Sequence, residues 1–312
     1  MPKSKRWILL ANWGDRTLLR NDVAFEISRC TGLDWTPNGR FVEVVLNKKH
    51  VGNYYLCEQI RVEKNRIDIT EMDASDVSED KITGGYLLEL DVAYDEKNKF
   101  KSNYCGFPYM IKEPNEEILQ AAQMNYIQNY IKELEESLFD SVKLLRQEYS
   151  KYINVNSFID YWFVQELTGN TELNHPKSFY MNKNRDDVIK AGPVWDFDFN
   201  TFNRTTYTGF SNLKAIYYSA LFKDPVYVEQ VKLRWTLLYP KFLKISEYIK
   251  QTSRQLRKSD KFNHGLWPIS VYWSNINGGA NCSYDEAVEL IIKSYEAKLK
   301  WMDEQINNGD CW

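Results

Sequence analysis

Histidine is the scarcest chemically useful residue in this chain. Only His50, His175 and His264 occur in 312 residues, so a His-rich metal centre or a His-based triad is not expected. The five cysteines (Cys30, Cys57, Cys105, Cys282 and Cys311) are odd in number, widely spaced and never in a Cys-x-x-Cys pair. That argues against zinc and against a disulfide framework, leaving them as small buried hydrophobes. No stretch approaches ~18 consecutive apolar residues, so no transmembrane helix is expected. The basic residues 1–6 are followed only by Trp7-Ile8-Leu9-Leu10-Ala11, which lacks the length and small-residue exit of a secretory signal. The chain as written carries no address. A net charge of −3 argues against a nucleic-acid-binding surface, and there are no internal repeats or low-complexity linkers.

What is present is an ordinary globular balance, 43% hydrophobic and 27% charged, with an unusual 15% of aromatics. Such aromatics handle sugars in some folds, but core filling is the simpler expectation. Residues 7–11 read as a buried strand, and Asn21 or Asp22 as the cap of a short helix ending near Gly32. Residues 41–46 and 51–56, joined by Asn47-Lys48-Lys49-His50, read as a β-hairpin. Ile67-Asp68-Ile69 and residues 85–90 add strands. Beyond about residue 112 the pattern turns helical: 116 to about 138, 155–167, and a last helix opened by a Ser283–Glu286 capping box. The fold class is therefore α+β, with a β-rich lobe over about 1–112 and a helical lobe over about 113–312.

The segment Gly192-Pro193-Val194-Trp195-Asp196-Phe197-Asp198-Phe199-Asn200 carries the most chemistry. As an extended strand it places Asp196 and Asp198 on one face and Trp195, Phe197 and Phe199 on the other. Two converging carboxylates repel unless a cation or donors occupy the site, and oxygen-only ligation suits Mg²⁺. Upstream, Glu172, Asn174, His175 and Lys177 lie in a polar loop between a helix and the strand-like Phe179-Tyr180-Met181. A carboxylate to orient or deprotonate a nucleophile, an amide to share a metal and a cation to offset phosphate charge are the parts of phosphoryl transfer. A glycosidase would use such carboxylates as a pair flanking a sugar bond, but adjacent same-face aspartates are better placed to share one cation.

At these residues the chain resembles the CotH kinase family, the spore-coat-protein-H-like atypical kinases. The resemblance rests on linked motifs in order: Trp7-Ile8-Leu9-Leu10-Ala11-Asn12 with Asp15-Arg16-Thr17 and Arg20-Asn21; Gly52-Asn53-Tyr54-Tyr55-Leu56-Cys57-Glu58-Gln59-Ile60; Gly84-Gly85-Tyr86-Leu87-Leu88-Glu89-Leu90-Asp91; Pro176-Lys177-Ser178; and Gly192–Asp198. It implies a kinase-like bilobed fold that transfers phosphate from ATP to Ser or Thr of an exported or surface protein, with Mg²⁺ or Mn²⁺. It maps the metal onto Asp196, with Asp198 as second ligand or orienter and Asn174 or Ser178 sharing it, Asn174 slightly preferred. The catalytic acid maps onto Glu172, where many members have Asp. Arg16, Arg20, Glu58 and Lys177 are the further candidates for nucleotide contact. Members generally carry strands ahead of the Trp7 block, so the expectation is that this chain is a fragment or has a misassigned start. Glu172 and those strands also leave open a silent pseudokinase that binds nucleotide or a partner, and the aromatics a polysaccharide-associated module.

Overall fold

The computed structural model describes residues 1–278, 282–308 and 312. In chain order the elements are β1 (Trp7–Leu10), α1 (Arg20–Cys30), β2 (Gly39–Leu46), β3 (Lys49–Glu58), β4 (Tyr86–Leu90), β5 (Lys99–Lys101), β6 (Pro108–Glu113), α2 (Ala121–Phe139), α3 (Ser141–Leu145), α4 (Val155–Thr168), β7 (Phe179–Lys183), β8 (Ile189–Ala191), α5 (Tyr218–Leu221), α6 (Pro225–Phe242), α7 (Ile245–Leu266), α8 (Val271–Ile276) and α9 (Tyr284–Asn308). With 43% of residues helical and 15% in strands, the class is α+β as expected.

The strands form two sheets, one ordered β1-β3-β2 and one ordered β5-β6-β4-β7-β8. The expected hairpin is present as β2–β3, paired antiparallel. Its turn places Asn47 at φ 51° and Lys48 at φ 64°, the paired left-handed conformation that matches strand twist in a two-residue hairpin turn. Two strand expectations are corrected. β1 is an edge strand, with Leu9 48% exposed rather than buried. Residues 67–69 make only a single bridge, Val62 to Ile67. Local turns compete there, with Arg66 N–H donating to the Glu63 carbonyl and Ile69 N–H to that of Ile67. The larger sheet takes β7 and β8 from well beyond residue 112, since β7 pairs along the full length of β4.

Helix α1 forms where expected, but Asn21 and Asp22 do not cap it. The capping work falls to Asp15, which accepts the Arg20 N–H at 2.9 Å and the Thr17 N–H at 2.9 Å. Asn21 and Asp22 are thereby free to reach inward. Asn21 Oδ1 accepts the Phe197 N–H at 2.7 Å, and Asp22 accepts the hydroxyls of Tyr55 and Tyr248 at 2.8 and 2.7 Å. Helix α4, read from sequence as amphipathic, is buried on twelve of its fourteen residues and runs through the centre of the molecule. Its buried charges are matched: Asp160 by Arg234 at 2.6 Å and Glu166 by Lys298 at 2.6 Å. The capping box on α9 is present, with Ser283 N–H donating to Glu286 at 2.7 Å and Glu286 N–H to Ser283 Oγ at 3.3 Å.

One hydrophobic cluster extends from Leu18 to Ile306 and absorbs much of the aromatic surplus, including fully buried Trp162 and Trp235. Of the cysteines, Cys57 is buried, whereas Cys30, Cys105 and Cys282 are partly exposed. Cys311 lies outside the described residues. Among the described residues no helix is long and apolar enough to cross a membrane.

Candidate active site

The acidic segment is not a strand. Residues 192–200 have no ladder partner, and Asp196 (φ 68°) and Asn200 (φ 56°) are left-handed, which breaks the two-residue alternation. The backbone is held by side chains instead. Phe197 N–H donates to Asn21 Oδ1 at 2.7 Å, Asn200 N–H to Asn277 Oδ1 at 3.1 Å, and Asn277 Nδ2 donates to the Asp198 carbonyl at 3.0 Å. The apolar residues consequently diverge. Val194 and Phe197 enter the core, Trp195 stacks on Phe25 (5.9 Å between centroids), and Phe199 meets Trp273 edge-on (5.7 Å).

The two carboxyls nevertheless meet by this different route. Asp198 lies within hydrogen-bonding reach of Asp196; burial, then the neighbouring Asp196 charge, pushes its pKa up to about 7. Glu172, at the start of a 3₁₀ turn (Glu172–Asn174), is 8% exposed and belongs to the same electrostatic neighbourhood. Its carboxyl also rises to about 7, first through burial and then through Asp196, with Lys177 acting in the opposite direction. Asp91, quoted in a motif but given no role, adds a further negative charge near Glu172. It also braces the loop, accepting the Ser178 N–H at 3.1 Å and the Ala93 N–H at 2.7 Å.

The other candidates occupy distinct positions. Asn174 is exposed, and its Nδ2 donates to the carbonyls of Thr171 and Ser211 at 3.1 and 3.0 Å, tying the turn to the 211–212 loop. Arg20 is 2% exposed and its field reaches Asp198, but its guanidinium is committed to Asp15, the Thr201 carbonyl and the Asn277 carbonyl. Arg16 pairs with Asp260 at 3.5 Å. Glu58, 1% exposed, accepts both the backbone and side-chain N–H of Asn38. The structure therefore gathers Glu172, Lys177, Asp196 and Asp198, and sends Arg16 and Glu58 to other contacts.

Sequence reasoning missed the supports: Asp15, Asn21, Asp91 and Asn277. Asp15, Asn21 and Asp91 stood inside quoted motifs, which is the one signal that pointed to them. Asn277, on a helix C-cap far along the chain, gave none.

Among the described residues no group of three or more His, Cys, Asp or Glu side chains converges as a metal cage. Two adjacent carboxyls within hydrogen-bonding reach of each other do fit a hard divalent cation, because Mg²⁺ takes one or two protein carboxylates and fills its shell with water and phosphate oxygens. Around Glu172, Asp196, Asp198 and Asp91 outnumber the one cation, Lys177, an excess of negative charge that a bound cation would offset. A family model described as CotH kinase protein matches residues 1–304. The chain belongs to that family. The motifs that suggested it, from Trp7 to Asp198, all fall within the matched span, and a kinase-type function follows at the level of the CotH family. No protein in the curated set matches the chain.

Proposed function

We propose that this chain is a protein kinase that transfers the ATP γ-phosphate to a Ser or Thr hydroxyl of an exported or surface protein. The observation that carries the reading is the juxtaposition of Glu172 with the Asp196–Asp198 pair, all held by backbone and side-chain bonds rather than by a strand. Asp196 and Asp198 would hold Mg²⁺ or Mn²⁺, with Asn174 as a further oxygen donor. The metal would supply charge neutralisation on the phosphate oxygens. Lys177, exposed beside Glu172, offers a cation to the phosphates. The two-lobed division near residue 112 belongs to the same proposal.

Glu172 is suited to act as the base. A carboxyl held at about 7 is ionised in a useful fraction near neutrality and still binds a proton strongly enough to accept one. As the acceptor oxygen bonds to phosphorus and the β,γ-bridging P–O bond breaks, the hydroxyl proton passes to Glu172 and ADP leaves. The extra methylene of Glu relative to Asp extends the carboxyl further from the Thr171–His175 turn, and burial restricts where it points.

The test is transfer of labelled phosphate from ATP to a Ser/Thr-rich acceptor in Mg²⁺ or Mn²⁺. Asp196→Ala should abolish transfer, and Glu172→Gln should slow it by about 10²–10⁴-fold, the usual contribution of a general base. Glu172→Asp should retain activity. Metal-dependent ATP binding without transfer by the unaltered chain would sink the kinase reading in favour of a silent module.

A further inference from the structure

The exposed side of α7 carries charge of one sign. Between Lys250 and Leu266 its exposed charged residues are Lys250, Arg254, Arg257, Lys258 and Lys261, all of them cations. Spacings of four, seven, eight and eleven residues from Lys250 put them on one face of the helix. The single carboxylate in that span, Asp260, is buried and bonded to Arg16 and His264. Among the described residues only Arg257 of the five makes an ion pair, with Asp285 of α9 at 2.7 Å. The chain as a whole has a net charge of −3, so the stripe inverts the overall charge locally.

Large apolar side chains surface beside it. Phe262, Leu266, Trp267, Val271 and Tyr272, at the end of α7 and the start of α8, are 47 to 71% exposed. Exposed hydrophobic residues on an ordinary surface are scattered singly, and clusters of them mark contact sites. Trp267 is fixed in this position, its indole N–H donating to the Val51 carbonyl at 2.8 Å. That bond joins the corner to the β2–β3 hairpin, whose turn adds exposed Val45, Leu46, Lys48 and Lys49. Cations and apolar side chains thus share one surface.

The mixture selects the partner. A second copy meeting this face by two-fold symmetry would set cation against cation. An acidic polypeptide would satisfy the cations by charge alone and give the aromatic side chains no role. A bilayer with anionic headgroups answers both, because its surface potential attracts Lys and Arg while Trp and Tyr rings sit at headgroup level. We propose that the exposed side of α7, with the α7–α8 corner, is a docking surface for a membrane containing anionic lipid. The apolar face of α7 stays packed on the protein. The contact is therefore peripheral, with the cations on the headgroups and Phe262, Trp267, Val271 and Tyr272 entering the interfacial layer.

The test is co-sedimentation of the whole chain with phosphatidylcholine vesicles, with and without phosphatidylserine. Binding should require phosphatidylserine and fall as ionic strength rises from about 0.1 to about 1 M. Lys258→Glu with Lys261→Glu should weaken it by about twentyfold or more, from about fivefold for each charge lost. Phe262→Ser with Val271→Ser should weaken it about tenfold, through lost apolar contact. Lys64→Glu with Lys223→Glu, equal in charge and exposed elsewhere, should leave it unchanged. All these positions are exposed, so each variant should keep the unaltered thermal midpoint. Equal binding to vesicles without phosphatidylserine, no binding to either, or an equal loss in the Lys64 and Lys223 variant overturns the proposal. So does unchanged binding by the Phe262 and Val271 variant together with equally tight capture by polyglutamate, which would assign the face to an acidic protein.

Discussion

Glu166 and Asp198 both carry carboxyls set within the molecule, and the fold treats their charges in opposite ways. Glu166 and Lys298 are each 0% exposed and meet at 2.6 Å. Ser211 and Asn212 N–H groups complete the carboxylate at 3.1 and 2.7 Å, and Tyr207 and Trp301 face the ammonium at 4.7 and 4.9 Å. The carboxylate takes three donors and the ammonium is enclosed by that carboxylate and aromatic faces, which ties α4, α9 and the intervening loop together. Asp198 has instead a second carboxyl within hydrogen-bonding reach, while Arg20, the cation whose field reaches it, is committed to other groups. Buried charge matched internally builds structure; charge left beside a second carboxylate is what marks this place as the candidate cation site.

Two substitutions separate the two regions. Lys298→Met should have the largest effect on stability, about 3–5 kcal/mol lost in denaturant unfolding, because it strands Glu166 without its counter-charge. A loss below ~1 kcal/mol would mean that the amides of Ser211 and Asn212 suffice on their own. Asp198→Asn should behave in the opposite sense. It relieves carboxylate repulsion, so the metal-free midpoint should stay level or rise. It should also erase the Mg²⁺-dependent stabilisation, about 2.7 kcal/mol at a hundred times the dissociation constant. A midpoint that falls in the absence of metal would show the aspartate pair to be structural.

Lys183 provides the smallest test. It is 1% exposed, donates to the Thr83 carbonyl and lies 4.8 Å from the Tyr130 ring centroid, with burial lowering its pKa to about 8. The folded state therefore binds fewer protons than the unfolded state between about pH 8 and the ordinary lysine range near 10.4. Stability contributed by this group should rise with pH across that window, by at most ~1.4 kcal/mol per pH unit. Lys183→Met should flatten that slope in unfolding measured from pH 7.5 to 10, and an unchanged slope would show that another group is responsible.

The hairpin β2–β3 and the α9 capping box were legible because each depends on residues only a few positions apart. The same reasoning misjudged the segment around Asp196. An Asp-x-Asp between large hydrophobes looks like a pleated strand, but Asn21 and Asn277, some 80 to 180 residues away, take the amides that a ladder would have used. Asn21 and Asp22 looked like helix caps for a similar reason: their partners Phe197, Tyr55 and Tyr248 are invisible locally. The pairing of β4 with β7, across some ninety residues, is likewise not written in either strand alone.

The sequence by itself determined the α+β class, the helices and hairpin with local signals, and the linked motifs that place the chain in the CotH family. It also offered Asp196 and Asp198 as candidates through their spacing and Glu172 through the family resemblance, and the structure brings the three carboxyls into one neighbourhood. The tertiary structure decided how they meet: a left-handed turn at Asp196, a brace from Asn21 and Asn277, and Asp91 holding the opposite loop. Local propensity ranges over a few residues, whereas a cluster of like charges is held only by contacts that the folded chain brings together.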